Sequence, residues 1–109
     1  MIGTEAEATP KGTAMTYIRI SIARPNHGSE KRFEEVMREL TRAVAAQEGC
    51  EQALILQPHD DSGDIARITV YSDERAAEEA ANSDRILALR SEMHLLCRPD
   101  HTERAFFSM

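Results

Sequence analysis

An α+β sandwich of ferredoxin-like, split βαβ topology is the fold class this chain predicts: a four-stranded antiparallel sheet with helices on one face. Three observations predict it. Strand-like and helix-like runs follow one another in the order β-α-β-β-α-β. Two of the strand-like runs, Tyr17–Ala23 and Ile65–Tyr71, alternate with period two and carry β-branched residues. The length of 109 residues fits one domain.

Each element has a local reason. In Tyr17–Ala23 the apolar set is Ile18, Ile20 and Ile22, and Pro25-Asn26-His27-Gly28 closes the strand as a loop. Ser29 is placed to cap the next helix. From Ser29 to Gln47, residues Phe33, Val36, Met37, Leu40 and Val44 form one helical stripe, with charged residues around the rest. Gly49 is a C-terminal stop. Gln52–Gln57 contains the continuous apolar run Ala53 to Leu56, which predicts a strand buried on both sides. His59 to Asp64 is rich in turn residues and reads as a hairpin loop. Its three aspartates lack the spacing and distant Glu of an EF-hand. Ile65–Tyr71 is the third strand. Asp73–Cys97 is a second helical region, thin at Ala76, Ala77, Ala80 and Ala81, then carrying Ile86, Leu89, Met93 and Leu96 on a core stripe. Ser83 can restart the helix, so a kink is expected near Asn82–Ser83. Pro99 ends the region, and Glu103–Met109 is the last strand.

The sets Ile18/Ile20/Ile22 and Ala66/Ile68/Val70 are expected to face the helices. Tyr17/Arg19/Ser21 and Arg67/Thr69/Tyr71, joined by two residues of strand two and Phe106 or Phe107, then form a second, mixed face. A patch of that kind predicts a homodimer packed through its sheet faces.

Composition narrows the function classes. The net charge of −6 opposes phosphate backbones and anionic membranes, so neither nucleic acid nor a membrane is an expected partner. Residues 1–15 read as a disordered tail without the apolar core of a signal peptide, and Met15 is a candidate start. The expected domain is 16–109. Cys50 and Cys97, far apart and without an export signal, suggest reduced thiols and a cytoplasmic location. No Ser/His/Asp grouping, Cys/His metal spacing or phosphate loop is present, so no metal site is expected.

Three stretches carry a family resemblance. They are Tyr17–Ala23 running into Gly28-Ser29, Glu48-Gly49-Cys50 before strand two, and Thr69 to Ala76, where a strand passes into Asp73-Glu74-Arg75-Ala76. In order and spacing they resemble the antibiotic biosynthesis monooxygenase (ABM) superfamily, whose members form dimeric α+β barrels. The resemblance spans about residues 16–109. It implies a small-molecule-binding protein, and several members oxygenate phenolic or quinol substrates without metal or flavin. Tyr71 stands at the usual Trp position. Ala80, Arg90 and Ser21 stand where the haem-degrading branch has its signature residues, leaving His94 as the one axial ligand in reach. No cofactor is therefore expected.

Such chemistry needs a base, a cation or donor to hold a substrate anion, and a dry pocket. His94 has the pKa for the base. Arg90, four residues earlier, can stabilise the anion, and Tyr71 can donate a hydrogen bond or stack. The pocket is expected between sheet and second helical region, lined by Phe33, Leu89 and Met93. Arg67, Arg19 and Tyr17 are further candidates for holding a small aromatic ligand. Each also has a plainer reading, as solvated side chains or a sheet tyrosine. From another class comes a non-catalytic dimeric binding or interaction module.

Overall fold

The structure, a computed structural model, describes residues 15–109. The expectation of a disordered tail falls outside this range except for Met15. The elements are β1 (Tyr17–Ala23), α1 (Glu30–Ala45), β2 (Cys50–Leu56), β3 (Ile65–Tyr71), α2 (Glu74–Ala81), α3 (Asp84–Leu96) and β4 (Thr102–Phe107). All strand pairs are antiparallel, in the order β2-β3-β1-β4. This is the split βαβ sandwich expected from the element order.

Helix α1 buries the expected stripe: Phe33, Val36, Met37, Leu40 and Val44 are each at most 2% exposed. Its N-terminus is not capped by the Ser29 side chain. Glu30 instead accepts from the Gly28 N–H at 2.9 Å. The second helical region breaks where expected. Asp73 caps α2, accepting from the Ala76 N–H at 2.8 Å. Ser83, extended at φ −66° and ψ 134°, begins α3 and accepts from the Ile86 N–H. Two ion pairs, Arg32–Glu92 at 2.6 Å and Arg85–Glu39 at 2.9 Å, tie α1 to α3 along their outer edges.

The sheet corrects two expectations. Its helix-covered face carries Tyr17, Arg67, Thr69 and Tyr71, all buried. By register Arg19, Ser21, Ala53 and Ile55 share that face. The apolar set Ile18, Ile20, Ile22, Ile68 and Val70 lies on the open face, with Leu54, Leu56 and Phe106. There Ile22, Leu54, Leu56 and Phe106 are about two-fifths exposed. Alternation fixes the two sets, not which one meets the helices. The long core residues of α1 and α3 supply most of the apolar packing, so the strands can present polar groups beneath them. The second correction concerns β2. It is an edge strand, covered in part through Cys50, Ala53 and Ile55, and Leu54 and Leu56 belong to the open face.

Between α1 and β2 the chain turns at Gly49, whose φ is +86°. A Cβ there would stand 2.5 Å from the Ala76 Cβ of α2 and 3.2 Å from the Ser72 Oγ. Gly49→Ala is therefore expected to lower stability by about 1–3 kcal/mol in urea unfolding, combining backbone strain with the clash. Gly28→Ala shares the positive φ but meets nothing within 4 Å, and should cost less. Equal losses would assign the effect to φ alone.

Candidate functional site

Because the polar strand positions face the helices, a charged cleft forms inside the sandwich. Arg19 on β1, Arg67 on β3, Glu103 on β4 and Arg90 on α3 line it, with Tyr71 at its floor. Three cations meet one carboxylate in a chain whose net charge is −6. The local field therefore opposes the overall one and favours anions.

The Arg90 Nη2 donates to Glu103 Oε1 at 3.0 Å, in a pair whose side chains are 24% and 33% exposed. Arg67 is 7% exposed, and its Nε has no hydrogen-bond partner. Burial pushes the Arg67 guanidinium below its ordinary value, with Glu103 the main group opposing that shift. Thr69 Oγ1, beside it on the same strand, is also buried and unpartnered. The Arg19 guanidinium lies 5.5 Å from the centroid of the Tyr17 ring. Tyr17 in turn packs edge-on against Phe107 at 5.3 Å.

A second cleft adjoins the first and shares Arg67, Arg90 and Glu103 with it. It adds Ser21, Met93, His94 and His101. His94 is exposed at the rim and stacks on His101 with ring centroids 4.6 Å apart. Burial, then the neighbouring His101 and Arg90, lowers the His94 pKa from 6.5. Each cleft encloses about 10 Å³, close to the room one water needs. The Arg90–Glu103 pair lies on the boundary between them.

The structure thus brings together Arg19, Arg67, Tyr71, Arg90, Met93 and His94 around two adjoining clefts. It does not bring Phe33 or Leu89 to either one; both are in the packed core, at 0% and 5% exposure. The gap expected from the helix break is filled by these side chains, although Ala81 and Ile86, on either side of the break, do line the first cleft. Tyr17 lines neither cleft and meets the site only through the contact of its ring with Arg19. Sequence reasoning missed Glu103 and His101 as site residues. Both depend on where the chain beyond Pro99 returns to the sheet. The one usable signal was period-two spacing that puts Glu103 on the same side as Phe107.

A much larger groove, about 470 Å³, opens between α1 and the β2–β3 hairpin, lined by Pro25, Ile55, Pro58 and Ile65 with Glu34 and Arg38. Its one arginine is already paired to Glu34 at 2.7 Å, so it offers space without an uncompensated charge. Cys50 and Cys97 are free thiols, and burial raises both pKa values. Among the described residues no cluster of His, Cys, Asp and Glu is arranged to hold a metal ion, and no helix is long and apolar enough to cross a membrane.

The sequence model of the antibiotic biosynthesis monooxygenase family matches residues 15–92. The chain belongs to that family. Solved structures share its fold. SnoaB, a cofactor-independent oxygenase from Streptomyces nogalater, superposes with a TM-score of 0.77 at 20% identity, covering 88% of this chain and 95% of SnoaB. A conserved protein from Methanosarcina mazei Go1 gives 0.83 at 10% identity, covering 93% and 100%. A Pseudomonas aeruginosa protein gives 0.75 at 20% identity, covering 89% and 96%. No curated sequence relative matches the chain. The ABM match stops at Glu92, so Met93, His94, His101 and Glu103 lie beyond the matched stretch.

Proposed function

We propose that this ABM-family protein binds a small phenolic or quinol-type anion and oxygenates it without a bound cofactor. One observation carries the reading: a cleft between sheet and α3 holds more cationic than anionic side chains, with an imidazole at its rim. In this scheme His94 takes the phenolic proton, Arg90 holds the resulting oxyanion, and Tyr71 orients the ring. The substrate anion then gives one electron to dioxygen, and the two radicals join in a new C–O bond as a peroxide that takes the proton back from His94. Its O–O bond breaks as the ring carbon loses its hydrogen, which leaves a quinone carbonyl and one water, and no protein group changes oxidation state. A base must be neutral to accept a proton, and the lowered His94 pKa keeps it so at neutral pH.

Oxygen uptake over a panel of quinols and polyphenolic acids tests the proposal. Uptake is expected with at least one, on an acid limb whose midpoint lies below 6.5, and His94→Gln should remove that limb. The groups facing His94 are His101, Arg90, Arg67 and Glu103. Stability follows the same sign. The unfolded chain takes up the proton first as pH falls, so the contribution of neutral His94 is complete above the ordinary imidazole value. It is lost as pH drops through the lower folded value. Ligand binding without uptake would favour a non-catalytic binding module.

The same proposal includes a homodimer assembled through the open sheet face. The face supports it because Ile18, Ile20, Ile22, Leu54, Leu56, Ile68, Val70 and Phe106 form one continuous surface in register, of a kind seldom left to water. A two-fold pairing covers it with an identical partner. Sedimentation at micromolar concentration should give twice the mass of a 12.2 kDa chain, and Ile20→Asp should return it to the monomer. A stable wild-type monomer would overturn the assembly.

A further inference from the structure

Arg67 leaves an unsettled charge. As a residue it is 7% exposed, and its Nε is buried and unpartnered. Burying an ion without a counter-ion costs several kcal/mol. Among the described residues neither Arg67 nor Arg19 takes part in a salt bridge. The only carboxylate in the cleft, Glu103, is already held by Arg90. A ligand with a single phenolic oxygen would satisfy Arg90 and leave the other two cations as they are.

We infer that the ligand carries a carboxylate as well as a phenolic oxygen, and that Arg67, assisted by Arg19, is its carboxylate anchor. The substrate class is thus a hydroxyaryl carboxylic acid rather than a neutral phenol. This rests on the reading of the cleft as the substrate site and names what that site selects. Two features fit the assignment. Arginine presents a planar fork of donors matched to a carboxylate. The unpartnered Nε belongs to a side chain lining both clefts, so one ligand spanning them reaches Arg67 and Arg90 together.

The test compares two probes by calorimetry at neutral pH: a hydroxynaphthoic acid with adjacent hydroxyl and carboxyl groups, and naphthol, its counterpart without the carboxyl. The wild-type protein should bind the acid on the order of tenfold more tightly or better. Arg67→Met should bring the two affinities together, while Arg67→Lys, which keeps the charge, should retain part of the preference. Equal affinities in the wild type, or a preference unchanged in Arg67→Met, overturns the carboxylate assignment and leaves the phenolic site standing. Binding of neither probe overturns both. Equal affinities in the wild type need no variant and overturn the assignment even where Arg67→Met does not fold, and the Arg67→Lys comparison then carries the part that concerns Arg67.

Discussion

Phe33→Ala is expected to remove about 3–5 kcal/mol of unfolding free energy, the usual cost of emptying a buried aromatic site. The ring has no exposure, and it sits in the first turns of α1, where the Phe33 N–H donates to the Ser29 carbonyl at 2.8 Å. Its neighbours on the stripe, Met37 and Leu40, are nearly as closed off, so little collapse into the space is available. A domain of this size has about 5–15 kcal/mol in total. The variant should therefore unfold at a far lower urea concentration. The same variant separates two roles. A wall of the substrate site would lose affinity for hydroxynaphthoic acid while keeping most of its stability. A core residue loses stability first, and that is the outcome the packing requires.

Replacing Arg90 by Met is the second large effect, and it falls on the site rather than on the fold. Methionine keeps volume and helix propensity within α3, and Glu103, one-third exposed, can return to water when its partner is gone. Stability should change little. Binding of an anionic aromatic should weaken by about 1.5–3 kcal/mol, the range of a charge-assisted hydrogen bond. That is roughly ten- to 150-fold in Kd. Unchanged affinity and turnover would reduce Arg90 to a partner for Glu103 and move the site elsewhere.

Much of the fold was legible because it is written in local periodicity. The α1 stripe from Phe33 to Val44, the exact alternation of β1 and β3, and the Ser83 restart each depend on residues within a few positions. The side of the sheet that meets the helices was not legible in the same way. Isoleucines at positions 18, 20, 22 and 68 look like core because alternation alone does not show which face the helices cover. The arginines at 19 and 67 look like surface because a sequence does not show which charges a cleft will enclose. The site followed the same division. Arg90 and His94 were readable from their spacing on one helix and Tyr71 from its place at a strand end. Glu103 was not, since only the β1–β4 register sets it opposite Ser21, and His101 was not, since it is the loop after Pro99 that folds it back onto His94.

The Arg90–Glu103 pair also bears on kinetics. With it in place, each of the two spaces it divides holds little more than a water molecule. On the proposed function, an aromatic ring would enter only when the pair parts, so its arrival would be timed by a side-chain rearrangement rather than by collision. The observed affinity is then the intrinsic one reduced by the fraction of molecules in which the pair has opened. Under that regime the association rate levels off at high ligand concentration, and the plateau reports how often the two side chains let go of each other.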